Sequence, residues 1–392
     1  MTRSGRGKGL YLATTFFLYL FFLYLPESSL AAQSLIKEYR LPAEVSSAAV
    51  LKVASDGDVW FTEKLGKHVV RFEPASGIFS VFEVPPDWGS VSPSAITLSG
   101  DMVYFTLRKW VEGGVETSIN YICLLDPRLE VFKRVELVYK NKKIIPDELL
   151  VIESNIIWFI STNDNALYRY DLDDDSLRFF PIPTESSLPK ALSLDPNGTL
   201  WFVLANANKV VSFTPLTNSF KEYLIPTKFF NPVALFASVD RVWISGMSSN
   251  SLAELNPNSG VFFEIPLPKP RRVPVSVLLD DEGIVWFLEY RGNAIGSFDP
   301  KTAVFQSFNI PTFNSLPLSL ALDKKRGLIW FAESSTEARR LGSRSLNALA
   351  ENNSLNTDAA SSGEGQDPWV KVALFAFIFS AFVVYILRRR LR

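Results

Sequence analysis

The stretch from Gly57 to Pro85, "GDVWFTEKLGKHVVRFEPASGIFSVFEVP", decides the architecture. A turn glycine precedes a Trp-Phe pair. An alternating apolar run, a Pro-containing turn and a second run ending in Val-Pro follow. The same skeleton recurs as "GTLWFVLANANKVVSFTPLTNSFKEYLIP" (Gly198–Pro226) and "GIVWFLEYRGNAIGSFDPKTAVFQSFNIP" (Gly283–Pro311). Period-2 alternation broken by Gly, Asn, Asp and Pro is the pattern of antiparallel hairpins.

Working outward, the pair recurs as Trp60-Phe61, Tyr104-Phe105, Trp158-Phe159, Trp201-Phe202, Trp243-Ile244, Trp286-Phe287 and Trp330-Phe331, at spacings of 44, 54, 43, 42, 43 and 44 residues. Pro93, Pro146, Pro189, Pro232, Pro274 and Pro317 keep step with it. Two markers in phase define a true repeat. Each unit holds four short runs, in the fourth "ALSLD", "TLWFVL", "KVVSFT" and "FKEYLI". Four strands per repeat make one propeller blade, and seven blades close a ring. The predicted fold is therefore all-β, a seven-bladed β-propeller over residues 33–346, with the repeated aromatics packing between blades. The seventh unit lacks its fourth run, and "LIKEYRLP" (Leu35–Pro42) matches it. The N-terminal strand is thus expected to complete the last blade and remove an open edge.

The two ends read differently. Arg3, Arg6 and Lys8 precede the apolar run Leu10–Leu25 and the small-residue site Ser29-Leu30-Ala31, the three parts of a signal peptide over residues 1–32. Residues 347–368 carry no aromatics and are rich in Ser, Asn, Ala and acids, a flexible stalk. Residues 369–388 are predicted to form a single transmembrane helix, able to cross a core of about 30 Å. The basic tail 389–392 marks its cytoplasmic side. This arrangement places the propeller outside the cytoplasm on a cell membrane, and its design suits an archaeal cell surface.

A net charge of −1 gives no footprint for nucleic acid. The one cysteine, Cys123, excludes an internal disulfide and a cysteine metal cluster, and reads as a small buried residue on a strand.

The skeleton G-x-VWFTE…I-x-x-F-x-P-x-x-G…F-x-x-P resembles the virginiamycin B lyase (streptogramin lyase) family of seven-bladed propellers, over about residues 35–345. The resemblance implies a ring whose relatives open cyclic streptogramin B antibiotics by elimination at an ester. Mg²⁺ assists, and histidine and glutamate side chains stand at the funnel of one face. The chain departs from that pattern, because its single histidine is His68, at a turn of blade one. No residue of blades four to six supplies an imidazole, and no catalytic residue is assigned.

Two groups of side chains remain as site candidates. Glu63, Glu289 and Glu333 follow the aromatic pair in blades one, six and seven, which become neighbours on closure. Their carboxylates could hold a hard cation, Mg²⁺ or Ca²⁺. Loops at the same end of the ring carry Trp88, Trp110, Phe230 and Arg272, and blade two is lengthened through Arg108–Ser118 and the basic segment Tyr139–Ile145. Aromatic and cationic groups on one face suit a glycan, a peptide or a protein partner. The expected function is a membrane-anchored recognition module; the alternative is a metal-dependent lyase or hydrolase using the carboxylates.

Overall fold

A computed structural model describes residues 35–346 apart from 112–114 and 154, with backbone alone at 110–111 and 115–120. The predicted signal peptide, stalk, membrane span and tail lie outside the described residues. Among the described residues no helix is long and apolar enough to cross a membrane.

Seven four-stranded antiparallel sheets follow one another along the chain. Blade one comprises Ala48–Val53, Val59–Glu63, His68–Glu73 and Ile78–Glu83; blade six comprises Pro274–Leu279, Val285–Glu289, Ala294–Asp299 and Val304–Asn309. The first strands of successive blades touch one another right round the ring, blade seven against blade one included, so these strands are innermost. Blade seven is assembled from both ends of the propeller. Pro317–Asp323, Leu328–Glu333 and Arg340–Ser345 are joined by Ile36–Arg40, with Ile36 opposite Arg344 and Arg40 opposite Arg340. The expected closure is what forms.

The Trp-Phe pair works because consecutive strand residues face opposite sides of a sheet. The tryptophan points forward and its neighbour points back. Trp330 of blade seven shares a buried cluster with Phe61 of blade one, Trp60 with Phe105, Tyr104 with Phe159 and Trp158 with Phe202. Trp201 likewise meets Ile244, and Trp243 meets Phe287. At these six junctions the pairs weld neighbouring blades together. The preceding turn holds the indole: Trp201 Nε1 donates to Asp195 at 2.9 Å and Trp286 Nε1 to Asp280 at 2.7 Å. Those carboxylates also cap the turn, accepting from the backbone of Thr199 and Ile284. Cys123 is buried in the cluster between blades one and two, and burial pushes its thiol pKa up, as expected of a packing residue.

One end of the ring is tied by a second repeated device. Asn165, Asn208, Asn250 and Asn293 each stand seven residues after the blade's tryptophan, in the left-handed conformation that asparagine tolerates. From there each amide reaches the chain crossing to the next blade. Asn208 donates to Thr227 O at 2.8 Å and Asn293 to Thr312 O at 2.9 Å; Asn293 accepts from Ser315 N at 2.7 Å. A glutamate on the next blade's outermost strand then accepts the crossover's threonine N–H. Glu264 takes Thr227 N at 2.8 Å, Glu38 takes Thr312 N at 2.9 Å and Glu222 takes Thr184 N at 3.2 Å. These crossovers form the face that carries every site candidate.

Candidate functional site

The three glutamates occupy one register position. Glu63, Glu289 and Glu333 end the second strands of their blades, opposite Ala48, Pro274 and Pro317. All three are buried. Each is enclosed by its own blade. Glu63 accepts from Ser46 N at 2.5 Å and lies 2.6 Å from His68 Nδ1. Burial pushes its pKa up, but the His68 and Ser46 hydrogen bonds outweigh that and hold it below the ordinary value. Gly66 in the turn above has no alternative, since a Cβ there would collide with the Glu63 carboxylate.

Glu289 lies under Gly292 in the same way, where a Cβ would fall 2.5 Å from Oε2. Its partner comes from the crossover: Arg272 Nη1 stands 3.2 Å from Oε2. That guanidinium nitrogen donates instead to Gly292 O at 3.2 Å, and Oε2 itself accepts no hydrogen bond. Glu333 is the most isolated. Neither oxygen accepts a well-formed hydrogen bond, and its pKa is pushed up to about 8 by burial and by Glu38, with Arg340 opposing.

The three carboxylates are not brought together as one group. Among the described residues no group of three or more His, Cys, Asp or Glu side chains could hold a metal ion. The physical reason is local: Glu63 and Glu289 fold beneath their own turns toward His68 and Arg272, and Glu333 is buried in its own blade near Glu38. His68 is corrected. It is the first residue of a strand, buried and paired with Glu63, rather than a turn residue.

The four loop candidates separate. Phe230 is wholly buried, with its ring 2.7 Å from where a Cβ on Gly246 would stand. Gly246 has the register place of the glutamates, so in blade five a crossover phenyl fills the space a carboxylate takes elsewhere. Phe230 is therefore core, and its neighbour Phe229 is 84% exposed. Trp88 is half-buried on Phe132 and Arg134, at 6.2 and 5.2 Å. Trp110 lies on the long second strand of blade two, Met102–Val111; its side chain lies outside the described residues. Arg272 is half-buried and remains at the site. The basic segment of blade two forms a small hairpin, Val138–Tyr139 with Lys142–Lys143, and leans on blade three through Tyr139 stacked on Phe179 and a Lys142–Asp164 ion pair.

What stands free on this face are crossover tips: Phe229 and Phe313, both largely exposed, with exposed Lys228, Lys269, Arg271 and Arg291. Sequence reasoning missed Lys52. It stands on the innermost strand of blade one, where solvent reaches it although protein crowds round it. That crowding lowers its pKa, with Glu148 opposing. A lysine inside the otherwise apolar "AAVLKV" was the available signal.

Between the 267–272 crossover and blade six lies a cleft of about 200 Å³, into which Glu289 and Arg272 both face.

The sheet order and closure define the class, a seven-bladed β-propeller. The chain belongs to the virginiamycin B lyase family, whose model matches residues 137–341. No curated protein matches it. Among solved structures, virginiamycin B lyase from Staphylococcus aureus is similar at 22% identity and TM-score 0.67, covering 79% of this chain and 99% of that one. A streptogramin B lyase structure is similar at 23% identity and TM-score 0.66, covering 79% and 96%. YCF48 bound to D1 peptide is similar at 11% identity and TM-score 0.63, covering 79% and 95%. At these identities the likeness is one of fold.

Proposed function

We propose that this protein is a membrane-anchored, extracytoplasmic binding module that uses the lyase-family propeller for recognition. One observation carries the reading. Its single imidazole is buried, tied to Glu63, and sits in blade one, so no histidine is free to act as the base that an elimination needs. Fold alone does not carry an activity across. The crossover tips with Phe229, Phe313, Lys269 and Arg271 supply aromatic and cationic surface suited to a peptide, glycan or protein partner. Ser345 N donates to Leu35 O, so the propeller's two ends leave together from the end opposite the crossovers.

The test is a ring-opening assay on a streptogramin B antibiotic with Mg²⁺, using the full chain in detergent. No turnover above buffer is expected. Turnover that disappears in Glu289→Gln or Glu63→Gln would overturn the reading and restore a carboxylate-based lyase.

A further inference from the structure

The cleft beside blade six lies where a small residue stands at a register that blades four, five and seven fill with glutamate. On the face that meets the incoming crossover, the outermost strand carries Glu222, Glu264 and Glu38 in blades four, five and seven. Blade six has Ser307 at that position, opposite Gly296, which is itself opposite Phe287. The start of the third strand is Lys209 in blade four and Arg340 in blade seven, but Ala294 in blade six. Two small residues, Ser307 and Ala294, thus stand on one face where blades four and seven carry an ion pair, and Ser307 lines the cleft. Phe287 and Phe305 form its apolar wall, Lys269 and Gln306 line its side, and Glu289 faces in from the second strand.

Its chemistry is mixed in an informative way. Arg272 and Lys269 against Glu289 leave the lining with a net positive charge, which favours an anionic group. Glu289 is 4% exposed, and its buried Oε2 accepts no well-formed hydrogen bond, with only the Arg272 guanidinium beside it at 3.2 Å. A ligand that brings both a carboxylate and an N–H donor answers both demands at once. The volume is below the 300–1,000 Å³ typical of drug-sized ligands, so the ligand is small, with an apolar part for the phenyl wall.

We propose that this cleft binds an α-amino carboxylate, its carboxylate toward Arg272 and Lys269 and its N–H group on Glu289. The source is a free amino acid or the C-terminal residue of a peptide. This deepens the binding-module reading and rests on it.

The experiment is calorimetric titration of the full chain in detergent with free L-amino acids, their N-acetyl derivatives and their carboxamides. Apolar amino acids are expected to bind, carboxamides to bind at least about tenfold more weakly, and Glu289→Gln to weaken binding by a similar factor. Tighter binding of the N-acetyl forms identifies a peptide terminus, within the same chemistry. Ser307→Glu is the sharpest variant. It restores the residue that blades four, five and seven use, fills the cleft and gives the crossover an acceptor. Binding should vanish while the unfolding temperature holds or rises. No heat from any compound at 10 mM (about the weakest binding worth calling a site), or binding indifferent to Ser307→Glu, overturns the proposal. Streptogramin turnover with binding intact would sink only the non-enzymatic reading; silence in both assays would sink only the site.

Discussion

Glu333 is the residue whose surroundings make the strongest demand. Its carboxyl is fully buried, with Glu38 near and no well-formed hydrogen bond to either oxygen, and its pKa is about 8 rather than the usual 4.5. The folded state therefore keeps a proton that the unfolded chain releases. Below about pH 4.5 both states hold it and the contribution is intact. Stability then falls by about 1.4 kcal/mol per pH unit until the folded group also ionises near pH 8. Glu333→Gln removes the titration. Its urea-unfolding free energy, compared with the parent at pH 5, 7 and 9, should show a flatter profile and a more stable protein at pH 9. Equal slopes in the two proteins would refute this account of the site. Glu63, one blade on at the same register, is held in the opposite sense by His68 and Ser46, so identical residues at identical positions titrate apart.

At the scale of strands and crossovers, the outermost glutamates are the parts that lock blade to blade. Glu222 accepts from Thr184 N at 3.2 Å, Thr184 Oγ1 at 2.7 Å and Lys209 at 2.7 Å. Glu222→Ala strands the crossover's N–H, and the expected loss is about 1–2 kcal/mol, read by chemical denaturation. A change within error would mean that solvent replaces the staple. Much of this level was legible: the aromatic pairs and prolines located every blade, since inter-blade packing needs large rings at a fixed strand position. The site was less so. Phe229 and Phe230 differ by one position, yet one is exposed and the other is core, because sequence alone does not set which way a crossover residue turns. The glutamates were found by position, but their enclosure depends on Gly66 and Gly292 letting the turns close over them. Asn165, Asn208, Asn250 and Asn293 had a readable signal in their constant distance from the tryptophan, whereas Ser307 had none, since its register holds glutamate in only three blades and Val81, Arg134 and Phe179 in others.

For the whole molecule, ring closure rests on Ile36–Arg40. Without it, Arg340–Ser345 becomes an unpaired edge and Glu38 no longer caps Thr312. A chain lacking residues 35–40 is expected to lose its single cooperative melting transition and to aggregate on heating, as followed by circular dichroism and light scattering. Glu38→Gln should keep the ring and lose only part of its stability. A truncated chain that melts as the parent does would show that blade packing alone closes the circle.

The adjacency of Leu35 and Ser345 has a consequence for how the ring can be encoded. Bonded side by side in one blade, these residues mark the place where this chain happens to be opened, and any other exposed turn could serve. A circular permutant joined through a short linker at Leu35 and Ser345 and opened within the Pro215–Ser219 turn would carry blade four as its composite blade. The same seven sheets would then be written in a different order.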